Sequence, residues 1–76
     1  MDETQVKDYL LSNDQEFRKL AEEHKKFERQ LQELHQKPHH NDQDQFQEKV
    51  LKKRKLAIKD QMQMMISRYQ VEHASR

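Results

Sequence analysis

The chain has 76 residues with no cysteine, no glycine, no tryptophan and one proline, which allows at most one small domain and excludes a disulfide framework. Apolar residues make up 32% against 38% charged, too few to wall a pocket with a dry, rigid core, so an enzyme is not expected and no cofactor or small-molecule substrate is implied. The formal net charge of +1 conceals a split: residues 1–48 hold seven Lys or Arg and twelve Asp or Glu, whereas residues 49–76 hold eight and two, or −5 against +6.

In chain order, Val6, Tyr9 and Leu10 suit a short helix over about 4–11, whose attachment to the rest the sequence leaves open. Ser12-Asn13-Asp14-Gln15-Glu16 then offers two overlapping capping boxes, Ser12 with Gln15 and Asn13 with Glu16, and these place a helix start near residue 13. From there Phe17, Leu20, His24, Phe27, Leu31 and Leu34 recur at alternating spacings of 3 and 4, a heptad seam on a first long helix predicted over 13–36. The periodicity stops between Gln36 and Asp44. Pro38 disfavours helix at Lys37, so a turn is expected over 37–43, with Asn41 or Asp42 capping the next helix. With no glycine in the chain, Asn41 is also the best candidate for any left-handed backbone the turn requires. The second long helix, predicted over 44–70, carries Leu51, Lys55, Ile58, Met62, Met65 and Tyr69 at the spacings of the first helix reversed, and 71–76 are expected to be a frayed tail.

Mirrored spacings predict an all-α fold: one domain over 1–76, an antiparallel, coiled-coil-like two-helix hairpin with a short N-terminal helical segment. Pairing Leu31 with Leu51, Phe27 with Lys55, His24 with Ile58, Leu20 with Met62 and Phe17 with Met65 keeps one midpoint at Asn41. Lys55 then lies in the seam, its stem over Phe27 and its ammonium reaching Glu28 or Glu23. The acidic first helix would attract the basic second one and disfavour slipped registers. A second stripe, Phe46, Val50, Ala57, Met64 and Val71, lies roughly 120° round the second helix at 100° per residue. One partner helix cannot cover both stripes, so a homodimer or packing on another protein is expected.

Two blocks resemble a known family. Phe17-Arg18-Lys19-Leu20-Ala21-Glu22-Glu23-His24-Lys25-Lys26-Phe27-Glu28 is similar to its pattern of an aromatic, a leucine, an acid before histidine, then apolar-acidic. Leu51-Lys52-Lys53-Arg54-Lys55-Leu56-Ala57-Ile58-Lys59-Asp60-Gln61-Met62 resembles its recurring apolar-Lys-Lys-x-Lys-Leu-x-apolar-Lys-Asp-x-apolar run nearly position for position. The family is that of the YdcH-like small bacterial proteins of unknown function. The resemblance implies a helical hairpin and carries no catalytic or ligand residues.

Residues able to carry chemistry are few. His35, His39 and His40 cluster near the turn, but their spacing fits no recognised metal site and a solvated turn is the first explanation. His24, at a core position, could act as a pH switch, although a polar residue that fixes register explains it better. Lys49, Lys52, Lys53, Arg54 and Lys59, with Lys55, invite a nucleic-acid reading, but no aromatic residue stands among them and they scatter over more than one helix face. Met62, Met64, Met65 and Ile66 read first as core; lying on an anionic membrane is the lesser alternative. No run approaches the eighteen or so apolar residues of a membrane span, and Met1-Asp2-Glu3 does not open a secretory signal, so a soluble cytoplasmic protein is expected. The expected role is that of a self-associating interaction or adaptor module. Weak nucleic-acid binding ranks second and metal handling third.

Overall fold

Capping side chains and apolar spacing set three helices in the computed structural model, which describes residues 2–74. They are α1 (Glu3–Asn13), α2 (Gln15–His35) and α3 (Asp42–Ala74), and no strand occurs among the described residues. The protein is all-α. At 1.5 Å per residue the 33 residues of α3 span about 50 Å, close to the longest extent of a molecule measuring 54 × 18 × 17 Å.

Each helix start is a carboxylate or amide satisfying backbone donors that have no partner within the helix. At α1 the Asp2 carboxylate accepts from the Gln5 N–H at 2.8 Å while the Gln5 side chain accepts from the Asp2 N–H at 3.1 Å. This capping box starts α1 at Glu3 and the helix continues to Asn13, beyond the expected limits of 4–11. Ser12 and Asn13 are therefore the last turn of α1, not the caps of α2; the Asn13 amide donates back to the Tyr9 carbonyl at 2.9 Å. The cap of α2 is Asp14, in extended conformation, whose carboxylate accepts from the Phe17 N–H at 3.0 Å. One residue thus joins two helices: the Asp14 N–H closes α1 on the Leu10 carbonyl, and its own carbonyl accepts from Arg18.

The turn is also built by side chains. Asn41 and Asp44 form a reciprocal box, Asp44 N–H donating to the Asn41 side chain at 2.8 Å and Asn41 N–H to the Asp44 carboxylate at 3.4 Å, which starts the last helix at Asp42, two residues before the expected 44. No residue with positive φ occurs among those described, so Asn41 serves as a cap and not as a left-handed hinge. The link runs over 36–41, shifted from the expected 37–43. At the far end α3 continues through Ala74, so 71–74 are helical where a frayed tail over 71–76 is expected; 75 and 76 lie outside the described residues.

Among the described residues three ion pairs bridge α2 or its exit to α3: Glu28–Lys55, His35–Glu48 and Lys37–Asp44. All three straddle a midpoint near Asn41. Val6 and Phe17 are wholly buried, in a cluster with Leu10 and Ile66 that Leu11, Met62, Met65 and Tyr69 surround. Helix α1 is thereby a third wall of the core. Further along, Leu31, Leu34, Leu51 and Ile58 are buried between α2 and α3. Burial of such side chains stabilises by about 1.5–3 kcal/mol each. Leu20, His24, Phe27, Lys55, Met62 and Met65 are half-buried at the edges of this seam.

Candidate functional site

Helix α3 has an apolar stripe facing the core and a second one that the other described residues leave largely exposed. Phe46 is 68% exposed, Met64 64% and Val71 73%; Ala57 is exposed as well, and Val50 is half-buried. At 100° per residue these five fall within a narrow band, away from Leu51, Ile58 and Ile66, which face the core. Scattered exposed apolar residues are ordinary, whereas a line of them along one helix is a feature that calls for an explanation. Leu56, also exposed, lies off this band and borders a groove between α2 and α3 with Leu31, His35, Lys52, Lys55 and Lys59. Leu56 stands in neither periodic stripe, so periodicity does not single it out.

The basic residues do not make one patch. Lys52 and Lys59 border the groove with Lys55, whereas Lys49, Lys53 and Arg54 turn to other sides of α3. Acids lie against two of the three groove cations, Lys55 and Lys52. The Lys55 ammonium, on a side chain 35% exposed, is 4.0 Å from a Glu28 oxygen that also lies 3.0 Å from His24 Nδ1. Lys52 Nζ lies 2.8 Å and His35 Nε2 3.1 Å from Glu48 Oε1. Hydrogen bonds from Lys52, then from His35, hold the Glu48 carboxyl down at about 2, against an ordinary value of 4.5.

The turn histidines have separate partners. His35 engages Glu48, while His40 Nε2 donates to the Leu34 carbonyl at 2.8 Å and closes the last turn of α2. Among the described residues no group of three or more His, Asp or Glu is placed to hold a metal ion. Apolar periodicity gives no sign of Asp44, a buried acid in the first turn of α3; it binds Lys37 Nζ at 3.2 Å besides accepting the Asn41 N–H at 3.4 Å. The Asn41-x-x-Asp44 spacing was its available signal. At the opposite end Tyr69 stacks between Tyr9, with ring centroids 5.0 Å apart, and His73, at 4.1 Å. Desolvation, then the neighbouring Tyr9, raises the Tyr69 phenol above its ordinary value.

A family described as a protein of unknown function, DUF465, matches residues 17–66. That span runs from the first buried aromatic of α2 to Ile66 in α3 and leaves α1 outside. Comparison with curated proteins and with solved structures gives no significant match. With two thirds of its length inside the match, the chain belongs to the DUF465 family, which includes the YdcH-like small bacterial proteins of unknown function.

Proposed function

We propose that this protein is a non-enzymatic, cytoplasmic interaction module, a coiled-coil-like antiparallel hairpin of α2 and α3 with α1 as its short N-terminal segment, and that it works by self-association. The carrying observation is the exposure of Phe46, Met64 and Val71 in one line along α3. A chain of this size builds only a small core, so covering a second apolar stripe adds stability that the single chain lacks. No helix among the described residues is long and apolar enough to cross a membrane. Light scattering coupled to sizing tests the reading at two concentrations a hundredfold apart. Particles should have twice the 9.4 kDa chain mass at the higher concentration and dissociate on dilution. A monomer under both conditions overturns it.

Weak nucleic-acid binding is the second reading. What favours it is that Lys49, Lys53, Arg54 and Lys59 are exposed and make no ion pair among the described residues. Its test is a mobility shift of RNA or DNA in low salt, lost steeply as salt rises, because phosphate contacts release counterions. An unshifted nucleic acid at micromolar protein removes this reading.

A further inference from the structure

We propose that the second copy docks antiparallel along α3 about a two-fold axis beside Ala57, with Lys53 of each copy paired to Asp60 of the other. This rests on the self-association reading and gives it a register. The outward stripe is an unbroken heptad once its polar members are included. Val50, Ala57, Met64 and Val71 stand seven apart on one of its two lines. Phe46, Lys53 and Asp60 stand seven apart on the other.

Lys53 and Asp60 have no use for each other within one chain. Seven residues separate them, about 10 Å along the axis, beyond the reach of the i,i+4 pairs that helices support. Neither has an opposite charge three or four residues away on its own helix, both are exposed, and neither makes an ion pair among the described residues. Asp60 is the one acid between Glu48 and Glu72, in a stretch with seven Lys or Arg. A second copy satisfies both residues, and only in one orientation. Parallel, in-register helices set Lys53 on Lys53 and Asp60 on Asp60, a repulsion at each. Antiparallel helices crossing at Ala57 set each Asp60 level with Arg54 and within one residue, about 1.5 Å along the axis, of Lys53 on the other copy, twice over.

The apolar members agree with this register. Ala57, the smallest side chain of the stripe, meets its own copy on the axis, where the backbones approach most closely. Val50 meets Met64, whose thioether adapts to a branched neighbour. Helix α3 runs from Asp42 to Ala74, so an axis at Ala57 lies within one residue of its middle and overlaps the two helices along almost their whole length.

Sedimentation equilibrium of full-length charge-reversal variants tests the pairing. Lys53→Glu and Asp60→Lys alone should each weaken self-association at least about tenfold, since each places two like-charge pairs in the seam. An equimolar mixture of the two variants should associate as tightly as the wild type, because every contact between unlike chains is then Lys opposite an acid. Unchanged dimerisation of both variants, or a mixture no tighter than its components, overturns the register and leaves self-association standing. A monomeric wild type overturns both. Circular dichroism of each variant reports that it folds, and cysteine scanning reads the geometry independently of charge. Under oxidised glutathione Ala57→Cys should cross-link to its own copy, whereas Phe46→Cys, about 33 Å from its counterpart in this register, should not. Equal cross-linking of the two overturns the antiparallel arrangement.

Discussion

Glu48 offers a pH dependence that can be tested at a single residue. Its folded-state pKa is depressed to about 2 from 4.5, so its contribution to stability is complete above the ordinary value and lost as pH falls through about 2. Glu48→Gln should therefore melt below the wild type at pH 7, and the gap should close on acidification between 4.5 and about 2. Thermal melts of both chains across that window check this, and a gap that is constant with pH rejects it. Asp44 is a different kind of acid, buried and holding Asn41 and Lys37 together. The cap itself is Asn41, whose side chain takes the Asp44 N–H; losing such a cap costs about 1 kcal/mol, so Asn41→Ala should lower the urea midpoint by that equivalent, whereas Lys37→Ala, at the half-exposed end of the ion pair to Asp44, should cost less. Equal losses would mean that the ion pair, not the cap, carries the effect.

Among the elements, α1 shows best what tertiary packing adds. Leu10 is buried against Phe17 and Ile66, and truncating a buried leucine costs about 2–5 kcal/mol, as large as the whole stability expected of a domain this size. Leu10→Ala should abolish cooperative urea unfolding or shift its midpoint far down; an unchanged midpoint would show that α1 is dispensable. The two long helices were legible in the sequence because their apolar residues recur at 3 and 4, a pattern that only a helix face collects. The place of α1 was not, since two apolar residues one turn apart, Val6 and Leu10, do not say which surface they will meet. The start of α2 was ambiguous for a local reason. Ser12, Asn13 and Asp14 are all good caps, and the choice fell to Asp14 because α1 continues to Asn13 while Leu11 packs on the core cluster. The exposed stripe was legible in its apolar members, which follow Phe46 at spacings of four and then seven residues. Lys53 and Asp60 were not, because a charged residue in such a pattern reads as solvated surface until an orphaned opposite charge is found for it.

For the whole molecule, the proposed pairing makes a prediction about shape. The single chain is 54 Å long with a Cα radius of gyration of 15.8 Å. Side-by-side association about the middle of α3 doubles the mass while leaving the longest dimension near that of the monomer; association through the ends nearly doubles it. Small-angle scattering at high and low concentration distinguishes the two, and a maximum dimension approaching twice the monomer length would exclude the central axis. The corner between α2 and α3 has a consequence for engineering. No described residue there has positive φ, and the link between the two helices is held by the hydrogen bonds of Asn41, Asp44, Lys37 and His40. Such a bend is a detachable fitting: a graft of these four groups at their native spacing should transplant it onto other paired rods, and exhaustive mutagenesis should find the intervening link permissive wherever those latches survive.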